Sequence, residues 1–522
     1  MKSSRLIFAL ILSLPIFALY GWHVVGTPSD KVATGFIKGD MPYYVANGRQ
    51  YFDGGSSGLF YSNPYMYDKL DPVYFQPHLI LFGGGAVATP GMPGLPFALL
   101  GLVFTIAAFW VLIRLIEDLC PGATVWQQRF LALMVAWGGG MMYIGGAVYS
   151  LVRGYPFYPL VLDPHHGYWL LNLGRNFIFP TEALYHLIVL TMLWSVLRGW
   201  HWRALIAVAL LALCHPYTGI QYAIIMVVWV GLELIYVRSG LFSWRTAWLF
   251  GLPLVYSFGY YGLYLMTSES HSKLVEEWTL DWSYKLINIV PAYAIVFTMF
   301  VARCSTPDKL RECFASPFNR LLGIIAFLSF GMANHEAFIT PHQPLHFTRG
   351  HIWLSLCLLG LPALLVLWDK LRTRRPLAFG AAGLLAILML CDNTVFFSMQ
   401  MSKPFGLFTD QRELDVFQFI RDQDETPIVV SEDPQFAYLS ATYSQARPYA
   451  GHYYNTPNSD AKRSAVEQLF NDKQIPPDLI DQPFWVLLSE PTPWLTKDTR
   501  FEQIYQQGDA SIFRYKAEQS TQ

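Results

Sequence analysis

The chain has 522 residues, of which 53% are hydrophobic and only 14% are charged, and its mean hydropathy is +0.31. Soluble domains carry about a quarter charged residues, so this composition excludes an ordinary soluble protein and indicates one that crosses a membrane. The formal net charge of −1 argues against nucleic acid as a partner, because a phosphate backbone needs a basic protein face.

The N-terminal segment predicts a first membrane-spanning helix. Lys2 and Arg5 precede an apolar run from Leu6 to Gly26. A cleaved signal peptide is the alternative, but its apolar region usually has about 7–15 residues before a small-residue cleavage site. This run has about 20 residues, the length of a full span. No clear Ala-x-Ala site follows it, so we expect an uncleaved helix with a cytoplasmic N-terminus.

Ten further apolar runs predict an α-helical polytopic membrane protein with about 11 transmembrane helices. The runs are Leu95–Ile116, Phe130–Ser150, Glu182–Leu197, Ala204–Leu213, Ile220–Val237, Ala247–Met266, Leu286–Val301, Leu321–Met332, Ile352–Leu367 and Leu377–Phe397. Lys and Arg concentrate in alternate loops, as expected for cytoplasmic loops when the first helix runs outward. We therefore expect a multi-pass protein of the cell inner (plasma) membrane whose C-terminal part is extracytoplasmic.

The C-terminal part predicts a small α/β domain. Two segments with helical spacing alternate with four short runs typical of strands. The helical segments are Arg412–Asp422 and Ala461–Phe470, and the strand-like runs are Pro427–Ser431, Phe484–Leu488, Phe501–Tyr505 and Ala510–Tyr515. We divide the chain into a transmembrane domain at residues 1–400, with long first and second outside loops, and an extracytoplasmic α/β domain at residues 401–522.

Histidine is concentrated on one side of the predicted topology. Of the thirteen His, only His201 falls on the cytoplasmic side. One explanation is that His favours interfaces, because it has an apolar body and a polar tip. The other is that the outer face holds the polar chemistry.

The first outside loop carries a carboxylate directly after the first helix. In the stretch Gly39–Arg49, Asp40 stands before Pro42 at the start of a predicted short helix. One interpretation is a helix N-cap, with the side chain accepting a bond from a backbone N–H. The other is a catalytic base at the membrane surface, and the two are compatible.

The layout of a long first loop, many spans and an outer C-terminal domain resembles the GT-C superfamily of membrane glycosyltransferases. That superfamily includes protein O-mannosyltransferases and the bacterial lipid A aminoarabinose transferase. The local match is Asp40-x-x-x-Tyr44-x-x-x-Gly48-Arg49, similar to the Asp-Glu-x-x-Tyr-x-x-x-Ala-Arg stretch of those enzymes. Met41 stands where many members have Glu, so a second carboxylate is either absent or supplied elsewhere, for example by Asp53.

The resemblance implies transfer of a sugar from a polyprenyl-phosphate donor to a glycan, lipid or protein acceptor of the cell envelope. In this family the acid after the first helix is the base on the acceptor, and that role falls on Asp40. The departing lipid phosphate needs cationic groups, for which the forked donors of Arg are suited. Our candidates are Arg349 with His346, then Arg175, then Lys273. For Arg349, an interfacial arginine that reaches lipid headgroups is the alternative.

Further polar groups at the outer face are candidates for substrate binding. They are Tyr44, Asp163, His165, His166, His215, His335, Glu336 and His351. Asp163, His165 and His166 either orient sugar hydroxyls or hold a divalent ion, although their spacing is not typical of a metal site. His215 also fits a tight turn, because Pro216 and a glycine follow it. We expect no cofactor, with a divalent metal as the alternative.

Two other functional classes fit parts of the sequence. A polytopic transporter also has many helices and polar groups at one level, but no inverted repeat is evident and the long loops lie on one side. A non-catalytic envelope-assembly protein with the same fold is the second, because Met41 replaces the usual Glu. Both remain alternatives to the glycosyltransferase.

Overall fold

The computed structural model describes residues 2–54, 56–67, 71–158, 160–163, 172–277, 285–341, 343–371 and 373–517, and 65% of these residues are helical. The first α-helices are α1 (Lys2–Val25), α2 (Met41–Arg49), α3 (Leu79–Ala88), α4 (Gly94–Leu119), α5 (Val125–Trp137), α6 (Met142–Arg153), α7 (Leu173–Asn176), α8 (Pro180–Leu197), α9 (His201–Cys214) and α10 (Pro216–Gly231). They are followed by α11 (Trp244–Ala247), α12 (Leu252–Ser257), α13 (Glu269–Glu277), α14 (Leu286–Arg303), α15 (Pro307–Ala315), α16 (Pro317–Ala333), α17 (His351–Leu371), α18 (Arg375–Gln400), α19 (Gln411–Arg421), α20 (Pro434–Tyr443) and α21 (Ser459–Asp472).

Short strands and helical turns complete the secondary structure. The strands are β1 (Val32–Ala33), β2 (Ser56–Ser57), β3 (Phe60–Tyr61), β4 (Phe408–Thr409), β5 (Ile428–Ser431), β6 (Arg447–Pro448), β7 (Trp485–Leu488), β8 (Phe501–Gln507) and β9 (Ala510–Tyr515). Segments of 3-10 or π-helix extend or join several helices, at Leu232–Val237, Trp248–Gly251, Phe258–Tyr264, Leu265–Thr267, His335–Ala337, Pro344–Phe347 and Pro477–Leu479.

Eight helical stretches of the described residues are long and apolar enough to cross a membrane, or up to ten if each of two bent pairs is one span. The eight are Ser3–Val25, Gly94–Leu119, Pro180–Leu197, Pro216–Val237, Trp244–Thr267, Leu286–Arg303, Pro344–Leu371 and Arg375–Gln400. The protein is therefore a multi-pass membrane protein, and the predicted count of about 11 is approximate. The predicted run Ala204–Leu213 lies in α9, which has 14 residues and is shorter than a full span.

The run Phe130–Ser150, predicted as one helix, is broken in the structure. Helices α5 and α6 meet at an angle of 47° across Gly138, Gly139 and Gly140. The amide of Gly139 donates to the Met389 carbonyl at 2.6 Å, and nearby chain segments thereby satisfy backbone groups that the break releases. The apolar composition of the run conceals this break, because glycine does not interrupt an apolar pattern.

The chain folds into two compact units. The first, here called the helical unit, comprises Met1–Leu19, Gly101–Tyr261 and Thr279–Lys403. The second, here called the sheet unit, comprises Tyr20–Leu100, Gly262–Trp278 and Pro404–Gln522. The sheet unit thus includes the long loop after the first span as well as the C-terminal residues.

In the helical unit, long helices pack closely where small residues face a neighbour. A Cβ added at Gly360 of α17 would lie 2.6 Å from Cβ of Met299 in α14. Helices in a membrane associate through such close contacts, because lipid tails are as apolar as the side chains and give no hydrophobic gain. Helix α17 also packs against α16.

The sheet unit contains a five-stranded sheet of order β6-β5-β7-β9-β8. Strand β5 is parallel to β6 and β7, whereas β9 is antiparallel to β7 and β8. All four residues of β7 are buried, because helices cover both faces of the sheet: Val486 shares a hydrophobic cluster with Leu469 of α21, and Trp485 contacts Phe419 of α19. This confirms the predicted strand-and-helix pattern of the C-terminal part.

Helix α2, which follows Asp40, is held between two other helices of the sheet unit. Gly48 of α2 and Gly83 of α3 face each other so closely that a Cβ on Gly83 would lie 2.0 Å from the Gly48 carbonyl oxygen. Helix α2 also contacts α20, where Ala46 of α2 forms a small hydrophobic cluster with Tyr438 and Ala441. These contacts fix the helix at whose start Asp40 lies.

Candidate active site

Asp40 occupies the N-cap position of α2, but its side chain does not make the predicted cap hydrogen bond. The Asp40 residue has an αR backbone, with φ −81° and ψ −9°, rather than the extended backbone of a typical N-cap. Its side chain is 55% exposed, and Oδ1 lies 3.3 Å from Nε2 of His452. The capping interpretation is therefore wrong for the side chain, which pairs instead with a residue from the C-terminal part of the sheet unit.

His452 is held firmly in place. Its Nδ1 accepts hydrogen bonds from the backbone N–H of Tyr454 at 3.1 Å and from Nδ2 of Asn455 at 3.0 Å. The residue is buried, and its ring contacts those of Tyr43 and Tyr438 with centroids 5.1 Å and 5.4 Å away. A rigid imidazole therefore faces an accessible carboxylate.

Tyr438 of α20 fixes the backbone on both sides of Asp40. Its hydroxyl donates to the Gly39 carbonyl at 2.6 Å and accepts from the Tyr43 amide at 2.9 Å. A second bond runs from the Thr442 hydroxyl to the Pro42 carbonyl at 3.2 Å. We refer to Asp40, His452, Tyr43, Tyr65 and Tyr438 as the Asp40 site; the Tyr65 ring contacts those of Tyr43, Tyr438 and His452.

Other groups modify the electrostatics near Asp40. Burial lowers the pKa of Lys38 to about 8, and the Asp40 carboxylate opposes that fall. Burial raises the pKa of Tyr43 to about 12, so its phenol stays neutral at physiological pH. Tyr44, predicted to bind substrate, is half-buried and contacts the Tyr43 ring edge-on. Lys38 is thus a cation that interacts electrostatically with Asp40.

The residues that the family motif would place beside Asp40 have other contacts. Met41 is buried, and its sulfur lies 4.0 Å from the hydroxyl of Tyr20. Asp53 pairs with buried Arg49 at 2.9 Å, and burial raises the pKa of Asp53 against the opposing effect of Arg49. Lys273, the third phosphate candidate, is exposed and pairs with Glu269 at 2.9 Å.

Arg349, the first candidate for the donor phosphate, lies in the helical unit and is buried. Its guanidinium contacts the carboxylate of Glu182 in α8, and the side chains of both residues are less than 5% exposed. Its Nη2 donates to Nδ1 of His346, whose ring stacks on Tyr217 with centroids 4.5 Å apart. The backbone carbonyl of Arg349 also contacts Nε2 of His186 at 2.9 Å.

Arg175, the second candidate, makes a contact with each guanidinium nitrogen. Nη1 donates to Asp163 at 2.8 Å, Nε to Asn393 at 2.6 Å and Nη2 to the Asp392 carbonyl at 2.9 Å. The side chains of Arg175 and Asp163 are completely buried. Burial raises the pKa of Asp163 to about 6, although Arg175 opposes the rise. This geometry is that of a structural ion pair.

The remaining predicted residues are spread over the helical unit. His215 is the one residue between α9 and α10, where it caps α10 and accepts from the Thr218 amide at 3.1 Å. His351 is buried and stacks on His186, with centroids 5.2 Å apart. His335 contacts the Met332 carbonyl at 2.6 Å, and Glu336 is half-buried beside it. His165 and His166 lie outside the described residues. Within the described residues, no group of three or more His, Cys, Asp or Glu side chains is placed to hold a metal ion.

The structure also reveals partners that the sequence did not suggest. His452 and Tyr438 contact Asp40 or its neighbours, and Glu182 pairs with Arg349. Glu182 lies in the first turn of α8. None of the three stands in a local motif with its partner, so only a folded chain brings them together.

The fold is that of a polytopic membrane protein and is GT-C-like. No protein-family model matches the chain, and no curated protein sequence matches it. Its solved structural neighbours are glycosyltransferases of the GT-C superfamily, which confirms the resemblance at the level of the fold.

The neighbours include the oligosaccharyltransferase AglB from Archaeoglobus fulgidus. In its complex with an inhibitory peptide and a dolichol-phosphate, AglB has 13% identity to this chain and a TM-score of 0.51, over 93% of this chain and 69% of AglB. A second AglB structure, tethered with an acceptor peptide containing the NVT sequon, has 13% identity and a TM-score of 0.50, over 94% and 69%. ArnT from Cupriavidus metallidurans bound to undecaprenyl phosphate has 12% identity and a TM-score of 0.48, over 98% of both chains.

Proposed function

We propose that this protein is a membrane glycosyltransferase that moves a sugar from a polyprenyl-phosphate donor to an acceptor, with Asp40 as the general base. The observation that carries the proposal is the half-exposed carboxylate of Asp40, held by His452 at the start of α2. The fold supports it, because AglB of similar fold was solved with a dolichol-phosphate and with an acceptor peptide. The acceptor is a glycan, a lipid or a protein.

The proposed reaction needs one proton acceptor and one leaving group. Asp40 takes the proton from an acceptor hydroxyl or amine as that oxygen or nitrogen forms a bond to the anomeric carbon of the sugar. The bond between the anomeric carbon and the phosphate oxygen breaks, and its electron pair leaves with the lipid phosphate. A positioned general base of this kind contributes about 10²–10⁴-fold to the rate.

We assign the contact with the departing phosphate to His346, and Arg349 in turn donates a hydrogen bond to His346. The guanidinium of Arg349 has no lone pair to accept a hydrogen bond, so Nδ1 of His346 is the acceptor of their contact. A neutral His346 then carries its proton on Nε2 and is a hydrogen-bond donor there. His346 is half-buried, whereas Arg349 and Arg175 are buried in ion pairs. We therefore assign the direct contact to His346.

The proposed topology places the reaction outside the cytoplasm. With the N-terminus cytoplasmic in the inner (plasma) membrane, the loop that carries Asp40 follows the first span on the outer side. The polyprenyl tail keeps the donor in the bilayer, so the acceptor is the substrate that approaches from outside.

A vesicle assay with a radiolabelled polyprenyl-phosphate sugar tests the proposal. Purified protein in liposomes is expected to move label from the lipid to an added mixture of glycan, lipid and peptide acceptors. Label that crosses the membrane without bond formation would instead identify a transporter. Neither transfer nor transport, from protein shown to be folded, would favour the non-catalytic assembly protein.

A further inference from the structure

We infer that His452 is a positioning residue for Asp40: it donates a hydrogen bond from Nε2 to Oδ1 and holds the carboxylate in the orientation that abstracts the proton of the acceptor. The inference rests on the proposed role of Asp40 as the base. The two atoms lie 3.3 Å apart, and both residues belong to the sheet unit.

The hydrogen bonds on the far side of the ring determine which nitrogen of His452 carries the proton. The backbone N–H of Tyr454 can donate a hydrogen bond but cannot accept one, and its nitrogen lies 3.1 Å from Nδ1 of His452. Nδ1 must therefore be unprotonated, and a neutral imidazole then carries its proton on Nε2. The side-chain amide of Asn455, 3.0 Å from Nδ1, is satisfied by the same arrangement. His452 thus presents an N–H to Asp40.

The same contacts fix the ring of His452 relative to Asp40. Its Nδ1 accepts the bond from Tyr454, so Nε2 is the ring nitrogen directed at the carboxylate. One bond to Oδ1 uses one of about four lone-pair positions of a carboxylate, so Asp40 keeps the capacity to accept the proton.

Differences in burial support this division of roles. His452 is 8% exposed and is enclosed by the rings of Tyr43, Tyr65 and Tyr438, whereas the Asp40 side chain is 55% exposed. An exposed Asp side chain samples several rotamers unless a neighbour holds it. A buried, doubly bonded imidazole supplies that constraint at little entropic cost, because its own orientation is already fixed.

The described titratable groups that interact electrostatically with Asp40 include Lys38, Tyr43, Tyr438 and Tyr454. Burial raises the pKa of each of the three tyrosines, so they stay neutral in the acidic range. Lys38, whose pKa burial lowers to about 8, is charged throughout the acidic range. Loss of the bond from His452 is therefore expected to move the titration of Asp40 without a compensating change from these groups.

The test is the pH dependence of transfer in three variants, His452→Gln, His452→Asn and His452→Leu. The side-chain amide of Gln lies about where Nε2 of His lies, so His452→Gln keeps the donor. Asn is too short to reach, and Leu has no donor. In His452→Asn and His452→Leu we expect the acidic limb of kcat/KM to move up by about one to two pH units, because a hydrogen bond to a carboxylate stabilises its ionised form. We also expect the plateau rate to fall roughly tenfold from misorientation.

His452→Gln is expected to keep the wild-type limb, a rescue that a purely structural role does not predict. An unmoved limb in folded His452→Asn or His452→Leu would overturn the inference, as would equal shifts in all three variants. The polar His452→Asn serves where His452→Leu does not fold. Asp40→Asn, measured alongside, distinguishes failure of the proposed function from failure of the role of His452. If Asp40→Asn transfers at the wild-type rate, the proposed function fails. If Asp40→Asn is inactive while the acidic limb of the His452 variants is unmoved, only the role of His452 fails.

Discussion

At the scale of single residues, we expect the buried Arg175 to stabilise the fold and not to bind the donor phosphate. Arg175 has three partners inside the helical unit, so we expect Arg175→Met to destabilise the protein by about 3–5 kcal/mol, the cost of an uncompensated buried charge. The folded pKa of Asp163 is already raised to about 6, so its ionisation opposes folding and its contribution to stability falls as pH rises from about 4 through 6. Without Arg175 this pKa rises further, so the variant should be less destabilised at pH 5 than at pH 7.

Thermal unfolding in detergent at the two pH values measures this effect. Arg412→Met, which removes an exposed ion pair with Asp509, is the matched control and should change stability by less than about 1 kcal/mol. If Arg175→Met keeps wild-type stability but loses affinity for the lipid donor, the phosphate role originally predicted for Arg175 is correct instead.

The sequence identified residues at this scale only where the signal was local. Asp40 stands next to Pro42 directly after an apolar helix, and this position could be recognised from neighbouring residues. His452 could not be recognised, because it reaches Asp40 from the opposite end of the chain through a contact that no periodicity encodes. Arg349 was recognised as a cation, but its neutralisation by Glu182 depends on how two distant helices pack.

At the scale of elements, the approach of α2 to α3 determines where Asp40 lies. In Gly83→Ala the new Cβ would meet the backbone oxygen of Gly48 at 2.0 Å, and a backbone atom cannot move aside as a side chain does. We expect α2 to shift, with a loss of about 1–3 kcal/mol of stability, typical of overpacking, and a fall of transfer activity. Unfolding temperature and initial transfer rate are the two measurements.

Gly84→Ala in the same helix is the control for this effect. Its Cβ would meet only the end of the Phe52 ring, at 3.3 Å, and that side chain is 48% exposed and free to adjust. Ala also favours a helix over Gly by about 1 kcal/mol, so this variant should be as stable as the wild type or slightly more stable. Equal effects of both substitutions would show that the close contact is not what positions α2.

Short buried strands were predictable from the sequence, whereas a largely buried helix was not. The strand-like runs Pro427–Ser431 and Phe484–Leu488 match β5 and β7 closely, because short apolar segments between polar turns are typical of central strands. Helix α20 was missed, since every residue from Phe436 to Tyr443 is buried and the segment has no polar face to reveal a helical period. That helix carries Tyr438, so an important contact of the Asp40 site was missed with it.

At the scale of the whole molecule, the layout of spans was predictable because bilayer thickness sets helix length. The division into two compact units could not be predicted, because each unit is built from separate stretches of the chain. The sheet unit combines Tyr20–Leu100, Gly262–Trp278 and Pro404–Gln522. The GT-C-like fold agrees with the resemblance of the layout, although sequence identity to AglB is only 13%. Fold alone does not define chemistry, so the proposed activity has to be tested at the Asp40 site.

The most direct test of the account is therefore the transfer rate of purified Asp40→Asn in liposomes containing a labelled polyprenyl-phosphate sugar, beside wild type and Asp509→Asn. Asp509 is exposed and belongs to the same sheet unit, so its substitution removes a comparable carboxylate without touching the Asp40 site. The account predicts that Asp40→Asn folds normally and loses about 10²–10⁴-fold in rate, whereas Asp509→Asn keeps the wild-type rate. Transfer by folded Asp40→Asn at the wild-type rate would contradict it.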